Sequence, residues 1–262
     1  MKRFILSMFL AIGMSLSCYA DVTIRQTTDG KGLGISGKAT GATYIKGNKM
    51  RSDMVSGNKT QTTIFDLDAQ KMYIFDSKKK EAEVWDMAQF SEELAKSVDM
   101  SNMKASLKPN GRTKPIGAYT ADGYDMEISM PAAMAGRKDM DMTVTLSGPV
   151  WIVKDAPGAA DYNGFYKAAA EKGWIFSNPA AAKGQPGQAK AMAEMYRQLS
   201  DIGGIAYEID MQIKMSGDGP MGGFLAKLGN ISMTTVVDSV ETGELADDLF
   251  APPEGYKLKQ KK

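Results

Sequence analysis

Histidine is absent from the chain, and cysteine occurs once, as Cys18. These two absences remove zinc sites of the Cys/His kind and both the Ser-His-Asp and Cys-His forms of nucleophilic catalysis. A surplus of one charge is also missing: 32 basic residues against 31 acidic ones leave a net charge of +1, so no strong field points at nucleic acid. No run beyond the N-terminus reaches the roughly 18 to 20 apolar residues needed to cross a bilayer as a helix. What is present is ordinary globular usage, 43% apolar and 24% charged over 262 residues, enough for a sizeable core in one large domain or two small ones.

Met1 to Ala20 has the layout of an export signal. Lys2 and Arg3 form the basic start, Phe4 to Leu16 the apolar stretch, and Cys18-Tyr19-Ala20 a small-x-small cleavage site before Asp21. The expected product is a soluble periplasmic protein. Lipidation at Cys18 is the competing reading, but Ser15-Leu16-Ser17 puts serine where lipoprotein signals usually carry an aliphatic residue. Cleavage after Ala20 takes the basic count from 32 to 30 against 31 acidic residues, a net charge of −1, and removes the thiol. Burial and backbone pairing must then supply stability, without a disulfide.

Alternation with a period of two dominates the pattern. Tyr124, Met126, Ile128 and Met130 alternate with polar residues, as do Met140, Met142, Val144 and Leu146, and again Tyr207, Met211, Ile213 and Met215 with Ile209. This is how antiparallel strands with one oily and one wet face read. Shorter strands are expected at 42–46, 49–55, 60–66, 71–75 and 82–85, joined by turn residues such as Gly47-Asn48 and Gly57-Asn58 into a meander of hairpins, with a late strand over 231–240.

Three helical stripes interrupt the strands: Phe90, Leu94 and Val98, with Ser91 and Glu92-Glu93 on the solvent side; Tyr162, Phe165, Tyr166 and Ala169; and Met192, Met195, Tyr196 and Leu199. The Ala-, Gly- and Pro-rich segment 177–190 reads as a flexible loop within one domain spanning 21–256. The tail 257–262, with four lysines, reads as a frayed basic end whose other use would be contact with anionic lipid head groups.

The motif-like spacings have plainer readings. Gly217-x-Gly219-x-x-Gly222 and Gly32-x-Gly34-x-x-Gly37 match the dinucleotide fingerprint literally, but neither follows a buried parallel strand. Asp66-x-Asp68-x-Gln70 begins like a calcium loop and lacks its glycine and terminal glutamate, which leaves a hairpin turn. The pairs Asp139/Asp141 and Glu81/Glu83 sit on wet strand faces and read as solvated. The 20 methionines are the unusual count, and 17 remain after the signal. Pairs such as Met100/Met103, Met140/Met142 and Met211/Met215 could hold Cu(I) through thioethers, fill a core, or line an adaptable apolar pocket.

Several stretches together resemble exported bacterial proteins grouped with the Lol lipoprotein carriers, in particular a domain-of-unknown-function family of that superfamily. They are Tyr44-Ile45-Lys46-Gly47-Asn48-Lys49-Met50-Arg51, Ile64-Phe65-Asp66, Lys71-Met72-Tyr73-Ile74, Ala121-Asp122-Gly123-Tyr124, Val150 to Gly158 with Phe165-Tyr166, and Leu249 to Tyr256. The resemblance implies an α+β fold: a strongly curved antiparallel sheet, an incomplete half-open barrel, with helices on its concave face. It also implies shelter for acyl chains and an arginine on an early strand that holds the closed state, for which Arg51 is the candidate.

The resulting expectation is a non-enzymatic periplasmic carrier of an apolar, lipid-like or acylated ligand, without cofactor or metal. Met126, Ile128, Met140, Met142, Val144, Met211 and Ile213 are expected to line the hollow, with Trp85 and Trp151 at its mouth. The alternative is an envelope interaction or stress-response module that meets a protein partner and holds no small ligand. In either case contact with the membrane would be peripheral at most.

Overall fold

The computed structural model describes residues 21–32, 35–96, 103–134, 137–174, 179, 182, 186–217 and 231–261. The expected export signal with Cys18, Val98, Met100, Gly34, Gly219 and Gly222 lie outside them, as do the side chains of 132–141, Met140, Asp139 and Asp141 included. Among the described residues twelve strands form one sheet: β1 (Val22–Gly32), β2 (Ile35–Lys46), β3 (Lys49–Ser56), β4 (Lys59–Asp66), β5 (Lys71–Asp76), β6 (Glu81–Asp86), β7 (Lys104–Ile116), β8 (Tyr119–Met134), β9 (Arg137–Val153), β10 (Ile205–Gly217), β11 (Ile231–Thr242) and β12 (Lys257–Gln260). The helices are α1 (Met87–Lys96), α2 (Ala159–Glu171) and α3 (Pro186–Ile202).

Across the sheet the order is β12-β6-β5-β4-β3-β2-β1-β11-β10-β9-β8-β7. Among the described residues only the β12–β6 pair is parallel. The sheet is large and curved, and its edges β12 and β7 do not meet. Register shifts at Arg25/Gln26, Ala206/Glu208, Pro109/Thr113 and Ala132/Met134 supply local bends of the kind that curve a sheet.

The hairpin registers place one apolar row across six strands: Val22, Ile45, Met50, Phe65, Met72 and Trp85 stand side by side. All six are buried, in one cluster with Phe90 and Leu94 of α1 and Phe165, Tyr166 and Ala169 of α2. We call this the inner face. A second cluster joins Tyr124, Met126, Ile128, Leu146 and Val150 to Ala191, Met195 and Leu199 of α3. The described residues of the helical stripes read from the sequence are therefore the packed ones. Ser91 is a correction: it is buried with α1's apolar side, since it follows Phe90 on a helix that packs over more than a narrow stripe.

Local chemistry fixes the helix ends. The Asp86 carboxylate accepts the Gln89 N–H at 3.0 Å, capping α1. After α2, the N–H of Gly173 (φ 69°) bonds Ala170 O and that of Trp174 bonds Ala169 O, a glycine-based stop that buries Trp174. Pro186 opens α3, where its missing N–H costs nothing, so the end of the expected 177–190 loop is helical.

The outer face carries its own apolar patch, with Ile64, Ala82 and Val84 buried. The segment after β11 crosses this side of the sheet. Gly243 N bonds Asp21 O at 3.0 Å, Leu245 N bonds the Asp21 carboxylate at 2.7 Å, and Lys46 Nζ donates to Leu245 O at 2.6 Å and pairs with Asp247 at 2.8 Å. Phe250 is buried, and Tyr256 meets Phe75 edge-on at 5.7 Å. The tail then corrects the frayed-end expectation: β12 pairs with β6, and Lys259 and Lys261 lie 2.8 and 2.9 Å from Glu81 and Glu83. Alternating lysines suit this exposed edge because they match glutamates on the neighbouring strand.

Gly148 holds the closest approach in the sheet. A Cβ there would stand 1.8 Å from Asp210 O, at φ 152°. Gly148→Ala is expected to cost about 3 kcal/mol or more by forcing β9 from β10. Gly57→Ala, at φ 56° with open space around it, is expected to cost only about 1 to 2 kcal/mol. Urea unfolding midpoints of the two variants check the contrast.

Candidate functional site

One residue pair outward from the buried row, the same inner face carries Ile24, Thr43, Ser52 and Thr63 side by side, and one pair further Gln26, Gly41, Met54 and Gln61. Polarity thus rises along the strands: hydrocarbon, then hydroxyls, then amides and a thioether. Exposure rises with it, from Met50 at 4% to Met54 at 40%. Over these two outer rows neither α2 nor α3 covers the sheet completely. A cavity of about 350 Å³ remains between the sheet and the helices. Its floor is Met50, Phe65 and Ile24, its far wall Ile205, Ala206 and Val237, and its helical side Tyr162, Tyr166 and Tyr196. No charged side chain lines it among the described residues.

The three tyrosines form a continuous aromatic wall. Tyr166 stacks on Tyr196 at 4.9 Å with rings 9° apart, and Tyr162 stands 4.8 Å from Tyr166. The Tyr166 hydroxyl donates to Met50 Sδ at 3.5 Å, tying the wall to the floor. Burial pushes the phenols of Tyr162, Tyr166 and Tyr196 above the ordinary tyrosine value, because a phenolate would be desolvated there. The wall is therefore neutral and hydrogen-bonding throughout the physiological range.

The residues expected to line the hollow lie mainly elsewhere. Met126 and Ile128 are 2% and 1% exposed under α3, with Val144, Met211 and Ile213 packed partly buried around the same cluster. Met142 is buried near the end of β9, and Met140 lies on β9 with its side chain outside the described set. None of the other six lines the cavity between sheet and tyrosines. The physical reason is that α3 seats Ala191, Met195 and Leu199 on this part of the face. Trp85 is also not at a mouth: it belongs to the buried row, edge-on to Phe90 at 6.1 Å. Trp151 carries Lys114 Nζ 4.7 Å and the Arg112 guanidinium 5.6 Å from its ring centre. A more open hollow of about 520 Å³ touches Met126 but is bordered by Lys108, Asp125 and Glu127 of β7 and β8.

Arg51 stands on the outer face, opposite Met50 and Ser52. Its Nε donates to both Asp53 carboxylate oxygens at 3.1 and 3.0 Å, and Nη1 donates to Leu249 O at 3.2 Å. It pins the C-terminal segment and does not reach into the inner cavity, where a latch over a ligand would act. Of the motif-like carboxylates, Asp66 accepts the Ala69 N–H at 2.8 Å and Asp68 accepts from Asn48 at 2.8 Å, so both serve their turns.

Sequence reasoning missed Gln26, Thr43, Ser52, Gln61 and Thr63, and treated the tyrosines as core. Hairpin arithmetic could have found the hydroxyls: Thr43 and Ser52 mirror each other about Gly47-Asn48, and Ser52 and Thr63 about Gly57-Asn58.

No protein-family model matches the chain, and no curated protein matches it. Among solved structures it superposes on PNGF-II with a TM-score of 0.36 and 12% identity, over 92% of this chain and 31% of that one, so it spans about a third of that protein. It is also similar to the LolA superfamily protein NE2245 from Nitrosomonas europaea (TM-score 0.30, 7% identity, 89% of this chain and 91% of that one). A third is a domain from Vibrio parahaemolyticus named for outer membrane lipoprotein sorting (TM-score 0.30, 11% identity, 89% and 90%). Superpositions this loose carry no functional weight, and the argument rests on the cavity itself.

Two outcomes follow from this geometry. The three tyrosines' raised pKa values mean that the native state holds protons the unfolded chain releases near pH 10. Their contribution is complete below that pH and is lost as pH rises above it. Alkaline titration should show part of the phenolate absorbance appearing only with unfolding, and Tyr166→Phe should reduce that part. Separately, Arg51→Ala should speed amide exchange in the segment around Leu249 by about tenfold, equivalent to roughly 1.5 kcal/mol for a charged hydrogen bond, with little change at Tyr166.

Proposed function

We propose that this chain is an exported, non-enzymatic carrier that holds one lipid-like, amphipathic molecule between the inner face of β1–β4 and the tyrosine wall of α2 and α3. The observation that carries the reading is the graded, uncharged lining of the cavity. Apolar matter is accepted at Met50 and Phe65, while Thr43, Ser52 and Thr63 offer hydrogen bonds above it. Among the described residues the lining holds hydroxyls but no lysine or carboxylate to activate one as a nucleophile, which favours binding over hydrolysis.

The volume sits at the small end of ligand sites, which run from about 300 to 1,000 Å³. Burying about ten methylenes gives roughly 8 kcal/mol at about 0.8 each. Association and ordering cost on the order of 4 to 15 kcal/mol. The apolar term alone then leaves about 4 kcal/mol at most, a millimolar constant, so hydrogen bonds at Thr43, Ser52 and Thr63 are needed to reach the micromolar range; weak binding suits a molecule that must release its cargo. Among the described residues no helix is long and apolar enough to cross a membrane.

Mass spectrometry of molecules extracted from protein purified without detergent should find an amphiphile, and an environment-sensitive fatty-acyl probe should bind saturably in the micromolar range. Ser52→Trp, which fills the cavity from a half-exposed position, should weaken the probe at least tenfold at an unchanged unfolding midpoint. A flat titration of the wild-type protein overturns the proposal.

A further inference from the structure

Several hydroxyls of the sheet are already taken up by side-chain partners. Thr28 pairs with Thr235 at 2.9 Å, Thr62 donates to Asp53 at 2.6 Å, Thr27 to Asp238 at 2.8 Å and Thr234 to Asp210 at 2.9 Å. Thr43, Ser52 and Thr63 have no such partner among the described residues. They stand in register on three adjacent strands, about 4.8 Å apart, as a short ladder aimed into one cavity. The buried floor lies only one residue pair below them, about 6.8 Å along the strands. Each methylene of a long acyl chain pressed against the ladder leaves a hydroxyl without water or partner, so such a chain binds more weakly than a ligand whose polar end meets the ladder. A carboxylate or phosphate seated there would be desolvated with no cation in the lining to meet it.

The depth, the ladder and the missing charge together define an occupant. We propose, building on the carrier reading, that the cavity selects a small uncharged amphiphile: a short hydrocarbon end on Met50 and Phe65, and an ester with free hydroxyls at the Thr43-Ser52-Thr63 ladder. A glycerol ester of a short fatty acid is the simplest member of this class. The size agrees, because about 350 Å³ holds about a dozen non-hydrogen atoms if each takes about the 30 Å³ of a liquid water. The ester carbonyl accepts from the hydroxyls, and the glycerol hydroxyls both donate and accept toward Gln26 and Gln61 at the rim.

The test compares monohexanoylglycerol with hexanoate at neutral pH by calorimetric titration of the full chain, with a long-chain fatty-acyl probe in parallel. The glycerol ester is expected to bind at least tenfold more tightly than hexanoate. Thr43→Val and Thr63→Val, which keep shape and remove one hydroxyl each, should each weaken the ester about fivefold and leave hexanoate unchanged. Thr43→Ser and Thr63→Ser should restore it, which separates loss of the hydroxyl from damage to the fold. Equal binding of ester and acid, or valine variants that bind the ester as the wild type does, overturns the inference while binding of the long-chain probe leaves the carrier reading standing. Absence of binding by every probe overturns both.

Discussion

The burial of one row of side chains, Val22, Ile45, Met50, Phe65, Met72 and Trp85, against Phe165 of α2 sets the rest of the molecule. Side chains alternate along a strand, so a slip of one residue in any of these hairpins would turn its member of the row to the opposite face. The row therefore locks five registers together. It also decides which residues lie one and two pairs further out on the same face, and these are the hydroxyls and amides of the cavity. Where α2 can sit is fixed in turn. Gly158, at the start of α2, lies so near Val22 that a Cβ would stand 2.5 Å from its Cγ2. The helix is seated hard against the apolar end of the strands, and the polar end is left uncovered.

A sheet that does not close has two faces to satisfy, and the molecule covers them by different means. On the inner face helices contribute wide apolar stripes. On the outer face the patch around Ile64, Ala82 and Val84 is small, and a segment with one short 3-10 turn, Asp247–Phe250, suffices. That segment runs without regular pairing until β12, so side chains hold it: Lys46, Arg51 and the Asp21 carboxylate bond its backbone at Leu245 and Leu249. Its anchors sit on the far side of β2 and β3 from the cavity, so the strands most engaged with the proposed ligand are clamped from behind.

Strongly alternating strands were legible in the sequence because one face of each is apolar: β8, β9, β10 and the hairpins β3 to β6 all fall where alternation and turn residues put them. Strands β1, β7 and β12 carry little such signal. In β1 only Val22 and Ile24 reach the core before the face turns to Gln26 at the cavity. β7 is an edge strand interrupted by Pro109, Gly111 and Pro115, and β12 is four exposed residues paired through charge. The residues that line the tyrosine-walled cavity were hard to read for a related reason. Apolar residues on a strand face mark what is buried, and Met126 and Ile128 are buried by the protein's own α3. A cavity open to a guest and to water is lined by residues that tolerate both, and in sequence these look like an ordinary wet face.

The division of the inner face between α2 and α3 explains why the cavity is small and why it is neutral. Both helices bury apolar stripes, and Tyr166 and Tyr196 stack where they meet, so the helices cannot part without breaking ring contacts. The gap between sheet and helices is bounded by this seam. The groups at the seam must be hydrogen-bonding yet uncharged, since a desolvated charge would draw in a counter-ion or water and weaken the packing of the row beneath. Phenols held protonated by burial meet that requirement, as do threonine and serine on the facing strands. A ligand that enters replaces water along one ladder of hydroxyls and covers the exposed edge of the apolar row. Its binding energy is then limited by the little hydrocarbon that edge presents, which is the condition for exchange without moving the helices.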